Sequence, residues 1–278
     1  AVIGFVPDGD SVSAQVLRRD GHHLVRGIVG QREVAAACRR FGLGLSRALA
    51  SQGPPDGQDA LLQQCRRITS MLFEPLRESL RDVEHFRLLT FGHLHSIPMH
   101  AALPDWAAET CMASYVPGVS VAFALARSST PGIGEPTVAV VGFADDAAPE
   151  IELEAAAVAC TYPNARALIG ADASAAEVLD VIAVADIVHV ACHAAFDPEF
   201  PMSSRLRLAD RWITARELVG RIRPGSLVVL AGCNTGRQWT AGEDGFGISR
   251  AVLASGVTMS QSMPANLFRK KPATARVI

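Results

Sequence analysis

Lysine is nearly absent from this chain: of 26 basic residues among 278, only Lys270 and Lys271 are lysines. Beside abundant alanine, that bias reflects GC-rich coding DNA and says nothing of fold. Aromatic residues are scarce at 6%, and the charged residues nearly cancel to a formal net charge of −2. So small a net charge excludes bulk electrostatic attraction to nucleic acid or to an anionic lipid surface. No apolar run approaches the roughly 18 residues that a membrane-crossing helix needs. The opening Ala1-Val2-Ile3-Gly4-Phe5-Val6-Pro7-Asp8 lacks the basic start and long apolar stretch of a secretory signal. An initial methionine is also lacking, which points to a processed chain or a piece of a larger one. Paired cysteine motifs are absent as well. Cys38, Cys65, Cys111, Cys160, Cys192 and Cys233 include no C-x-x-C, which removes zinc-knuckle and thioredoxin-type readings. Reduced thiols in a cytoplasmic protein are expected, most of them acting as small buried hydrophobes.

What the chain does have is apolar mass: 49% of its residues are hydrophobic. A chain of this length buries roughly three quarters of its unfolded surface, as one large domain or two small ones. Residues 2–6 and 12–18 read as a hairpin turned at Pro7-Asp8-Gly9-Asp10, with a further strand near 23–29. A helix over 31–50 carries Val34, Ala37, Cys38, Phe41, Leu45 and Leu49 on one face. Another covers 58–81, kinked or divided at Pro75, and a strand at 86–91 follows. The segment 128–136 is the best linker candidate.

From Thr137 the rhythm alternates. Strands are expected at 137–143, 165–169, 186–192 and 226–232, with helices at 150–161, 174–184 (capped by Asp172 or Ser174), 214–221 and 246–255 and a ribbon at 205–213. That order predicts an α/β fold with a mainly parallel sheet flanked by helices, and an N-terminal hairpin-plus-helices portion. The division is placed at 136, giving portions 1–136 and 137–278, the latter with an irregular tail at 258–278.

In such sheets chemistry gathers beyond the carboxyl ends of the strands. His193 and Cys233 both stand there, at the ends of 186–192 and 226–232. A thiolate nucleophile needs an imidazole for its protons and N–H groups for the oxyanion, and two neighbouring strand ends supply all three.

The residues that carry this chemistry also resemble a family. Val188-His189-Val190-Ala191-Cys192-His193 and Leu230-Ala231-Gly232-Cys233-Asn234-Thr235-Gly236 resemble the two catalytic motifs of the CHAT domain, a caspase-like peptidase module. Gly92–Leu103, Leu206–Asp210 with Glu217-Leu218, and Gly242–Ala251 resemble its intervening segments, so that the likeness runs over about 1–257. The resemblance implies a cysteine endopeptidase of the caspase and separase kind. Cys233 would be the nucleophile, His193 its acid and base, and the backbone N–H groups of Ala194 and Cys233 the oxyanion hole. No third, orienting carboxylate is required and no cofactor is implied. It also implies limited proteolysis of a protein or peptide substrate in bacterial signalling or defence, under control of a partner or an upstream sensing module such as tetratricopeptide repeats.

Two departures carry consequences. Ala194 replaces the usual glycine, so a left-handed backbone there would be strained. The tail from Thr258 lacks the family's strand and helix, which would leave a sheet edge open. Both favour the alternative of a catalytically silent CHAT-like interaction module. A small-molecule amidase using the same pair has no substrate signature. Of the acidic residues, Asp197, Asp210, Glu243 and Asp244 are candidates for the floor of a pocket for a basic side chain, alongside the plainer reading of solvated loop charges. His93, His95 and His100 lack acidic or cysteine partners at ligand spacing, so no metal is expected. His189 reads as a buried, hydrogen-bonded histidine, and strand alternation aims Cys192 into the core.

Overall fold

The computed structural model describes residues 1–51, 56–116, 118, 135–146, 148–232, 239–241, 244–261 and 275–277. The chain separates into two compact units, one of residues 1–116 with 265–275, the other of 117–264 with 276–278. The first unit thus ends twenty residues before the expected division, and most of the expected linker 128–136 lies outside the described residues.

The first unit opens with an antiparallel meander, β1 (Val2–Asp8), β2 (Ser11–Arg18) and β3 (Gly21–Gly30). Asp8 pairs with Ser11, so the β1–β2 turn holds only Gly9 and Asp10, and Gly9 adopts the left-handed backbone (φ 60°) that such a turn favours. Helix α1 (Gln31–Ser51) buries Val34, Ala37, Cys38 and Phe41 of the expected stripe; Leu45 is partly buried, and the side chain of Leu49 lies outside the described residues. Helix α2 (Asp56–Phe73) stops where Pro75 interrupts the backbone ladder, and Glu74–Leu76 form a 3-10 turn. Strand β4 (His85–Leu89) then runs parallel to β1 and to β5 (Met112–Tyr115), preceded by the one-turn helix α3 (Asp105–Ala108). The sheet order is β3-β2-β1-β4-β5. Phe73 is central to the core, edge-on to Phe5 and stacked on Phe86, with both centroid distances 5.7 Å.

The second unit contains the alternating pattern. Strands β6 (Val138–Phe143), β7 (Arg166–Ile169), β8 (Ile187–Cys192), β12 (Leu227–Ala231) and β15 (Thr258–Gln261) lie in the order β15-β12-β8-β6-β7, all parallel. Helix α4 (Glu150–Cys160) packs on one face, where Val138, Val140, Ala155 and Ala191 form the core. It comes so close that a Cβ on Gly142 would meet the Ala155 Cβ at 2.4 Å, so β6 needs a glycine there. On the other face Val188, Val190, Val228 and Leu230 share an apolar interior with Val178 and Ile182 of α5 (Ala175–Ile182). Ser174 caps α5, accepting from the Glu177 N–H. A three-stranded ribbon, β9 (Ala194–Ala195), β10 (Arg205–Arg207) and β11 (Trp212–Thr214), leads into α6 (Ala215–Leu218). The hairpin β13 (Trp239–Ala241) and β14 (Asp244–Phe246) precedes α7 (Ile248–Leu253).

Strand β15 corrects the first part of the expected irregular tail 258–278, of which residues 262–274 and 278 lie outside the described residues. Thr258–Gln261 pairs in parallel with Leu227–Leu230, so that this edge of β12 is covered. A further short strand, β16, spans Ala275–Val277.

Candidate active site

β6, β8 and β12 are in register, Phe143 beside Cys192 and Ala191 beside Ala231, and their carboxyl ends form one rim. His193 follows β8 immediately, and its main chain is fixed because its carbonyl accepts the Arg207 N–H at 2.8 Å. Its side chain is about one third exposed (32%), and its Nε2 lies 3.0 Å from Oδ1 of Asp145, two residues beyond β6. Cys192, one residue back, is buried, and burial pushes its thiol up to about 12, so it is a core residue and no nucleophile.

Ala194 pairs with Leu206 of β10. The Arg207 N–H to His193 carbonyl bond makes 194–206 a non-hydrogen-bonded pair, which turns the Ala194 N–H away from the ribbon. Ala194 is not among the described residues with positive φ, of which Asp82 is the one non-glycine. The expected strain at Ala194 is therefore absent: an extended strand residue needs no glycine. Cys233, the other half of the expected pair, lies outside the described residues, two positions after the last paired residue of β12.

The acidic candidates are differently placed. Asp197 braces its own loop, its Oδ1 accepting the N–H of Glu199 (3.0 Å) and of Phe200 (2.8 Å). Asp210 accepts the Ala175 N–H at 2.8 Å, which tethers the ribbon turn to the start of α5 and holds its carboxyl below the ordinary range. One oxygen of each carboxylate thus serves the backbone, which favours the plainer reading of loop charges over the floor of a pocket. Asp244 is the first residue of β14, and Glu243 lies outside the described residues.

His95, His100 and His189 belong to the scaffold. His93 and His95 sit in a 3-10 helix, Gly92–Ser96, and not on a strand. His95 Nδ1 meets Thr90 Oγ1 at 2.9 Å, and His100 Nδ1 meets the Tyr115 hydroxyl at 3.1 Å. Burial lowers His100 to about 4, so it is neutral at physiological pH. His189 is buried, with Nε2 3.3 Å from Glu154 Oε1 but out of hydrogen-bond alignment, where a hydrogen bond was expected. Among the described residues no group of three or more His, Cys, Asp or Glu side chains is arranged to hold a metal ion, and no helix is long and apolar enough to cross a membrane. A broad surface hollow in the first unit, bordered by Arg77, Arg81, Glu84, Trp106 and Cys111, contains none of the expected site residues.

Sequence reasoning missed Asp145. Its signal was the one that found His193 and Cys233: a chemically capable residue just past the carboxyl end of a buried apolar strand. The spacing of 48 residues to its partner is not periodic, so only topology brings the two together.

A parallel sheet with helices on both faces and a histidine on its carboxyl rim is a caspase-like α/β architecture. The family model of the CHAT domain matches residues 62–264, well over half of the chain. The chain belongs to the CHAT domain family, a caspase-like cysteine peptidase family. No curated protein matches it in a sequence search.

Proposed function

We propose that this protein is a cysteine endopeptidase in which Cys233 attacks a peptide carbonyl and His193 transfers the protons. The observation that carries the reading is the register of β8 with β12. Ala191 and Ala231 are the last paired residues, and His193 and Cys233 each come two positions later in the sequence. The Ala194 N–H, turned away from the ribbon, supports its role with the Cys233 N–H as an oxyanion hole. Attack gives a thioester and releases the amine, which takes a proton from His193; water, deprotonated by His193, then hydrolyses the thioester. The family's coupling to partner-sensing modules such as tetratricopeptide repeats supports limited proteolysis under control of a partner, in bacterial signalling or defence within a cytoplasm. Extended Ala194 and the strand β15 weigh against a silent interaction module.

The test is alkylation of the native chain by limiting iodoacetamide near neutral pH, with each cysteine mapped by mass spectrometry. Cys38, Cys65 and Cys192 are buried, with thiols pushed up to about 11, 12 and 12, and exposed Cys160 is the internal reference. Cys233 is expected to react well ahead of Cys160, and His193→Ala to slow it at least about tenfold. Equal rates at Cys233 and Cys160 in both proteins would sink the reading.

A further inference from the structure

We infer that Asp145 is a positioning residue for His193, and that it assigns proton handling to Nδ1 of the ring. The inference rests on the dyad proposed above. A carboxylate only accepts hydrogen bonds, so the 3.0 Å contact requires Nε2 of His193 to carry the hydrogen. The neutral ring then has its lone pair on Nδ1. The Cys233 thiol proton passes to Nδ1, leaving a thiolate and an imidazolium. As the thiolate adds to the carbonyl and the C–N bond breaks, the Nδ1 proton goes to the departing amine. Asp145 holds Nε2–H throughout and stabilises the transient imidazolium without taking its proton.

The main chain on both sides of the contact is braced. Asp145 stands in a closed turn, its carbonyl accepting the Ala148 N–H at 3.1 Å. The residue before it is tied to α4 through Ala144 N–H and Glu152 Oε1 at 3.2 Å. His193 is fixed from the other side by the Arg207 N–H. Phe143 and Cys192 are register partners, so Asp145 and His193 leave adjacent strands at one level. Among the described residues, Asp145 is the carboxylate within ion-pair distance of His193. The nearest cation by topology, Arg207, directs its guanidinium over the rings of Phe143 (5.4 Å) and Trp212 (6.0 Å). The sheet and its flanking bonds thus fix the two backbones from which the pair is built before any substrate arrives.

Both side chains are partly exposed, 32% for His193 and 56% for Asp145, so water screens the pair. Its removal is expected to slow Cys233 roughly tenfold, well short of the loss at a fully buried orienting carboxylate. The experiment follows iodoacetamide labelling of Cys233 in the full chain across about pH 5–9, with Cys160 as reference. Asp145→Asn, which keeps the shape and removes the charge, should slow labelling near neutral pH and move the rise of the pH profile. Asp145→Glu should recover part of the rate, with an unchanged circular dichroism spectrum in both variants. In a His193→Ala background Asp145→Asn should have no further effect, because the carboxylate acts through the imidazole. An Asp145→Asn chain with the wild-type rate and profile overturns the inference while leaving the dyad standing. An equal loss with and without His193 also overturns it, showing a merely structural role. Wild-type labelling that ignores His193→Ala brings down the dyad, and the inference with it.

Discussion

The two units hold the same reactive residue types, and the clearest contrast lies between His100 with the buried thiols of the first and His193 of the second. In the first, His100 is half-buried against the Tyr115 hydroxyl and lowered to about 4, and the Cys38 and Cys65 thiols are pushed up to about 11 and 12. Those groups are chemically silent at neutral pH because burial penalises their charged forms. In the second, His193 stands at the rim of the sheet with a carboxylate on its ring, while Cys192 beside it is locked in the core. One residue step along β8 separates the two environments. A count of histidines and cysteines would favour the first unit, with His93, His95 and His100 within eight residues; the strand ends favour the second.

The sharpest way to test that contrast is acid. The folded value of His100, about 4, lies below its ordinary 6.5, so between these limits the unfolded chain binds more protons. The stabilising contribution is complete above about pH 6.5, is lost as pH falls toward 4, and changes no further below that. Its size is about 3 kcal/mol, and His95, lowered by burial in the same direction, adds to it. Urea unfolding at about pH 7 and about pH 4.5 should show a smaller loss in His100→Gln than in wild type. Equal losses would mean that the first unit does not hold this imidazole neutral, and the contrast with His193 would fall.

Much of this was legible in the sequence, and what escaped it has common causes. Continuous apolar runs such as Val138–Val141 and Val188–Cys192 announce buried parallel strands, and the strand-end rule then finds His193. Thr258-Met259-Ser260-Gln261 has no such run, and becomes a strand because the exposed edge of β12 offers it a ladder. The short β9 exists only through its pairing with β10. Asp210 was read as a loop charge beside a crevice, but its ligand is a backbone N–H 35 residues earlier. Local pattern reveals what a segment buries; it does not reveal which distant backbone completes it.

A smaller effect separates the packing of the two units. Gly142→Ala in β6 would set a Cβ 2.4 Å from that of Ala155, so α4 must shift, at a cost of about 2 kcal/mol. Gly42→Ala, in α1 of the first unit, meets nothing within 4 Å and should stabilise by roughly 0.5–1 kcal/mol through helix propensity. Differential scanning calorimetry should move the two variants in opposite directions. If both fall, the close approach of α4 to β6 is not what distinguishes the sheet that bears the site.

The smallest expected effect asks whether the rim depends on the stability of its support. Thr214 opens α6 with a capping box: its hydroxyl accepts the Glu217 N–H, and the Glu217 carboxylate accepts the Thr214 N–H at 2.9 Å. The Glu217 carboxyl is held below its usual range chiefly by that backbone bond, and Arg211 adds an ion pair at 2.8 Å. Thr214→Ala should cost about 1 kcal/mol in urea unfolding. Thr214 pairs with Arg205 in the ribbon whose Arg207 N–H fixes His193, so a strained or loosely held site would also lose Cys233 labelling. The ladder bonds of β9, β10 and β11 are independent of the cap, and the labelling rate should stay at the wild-type value while the unfolding midpoint falls. A parallel fall in both would show that the geometry of His193 is not set by the sheet and ribbon backbone, and would blur the line between a histidine held neutral in the scaffold, His100, and one presented at the rim, His193.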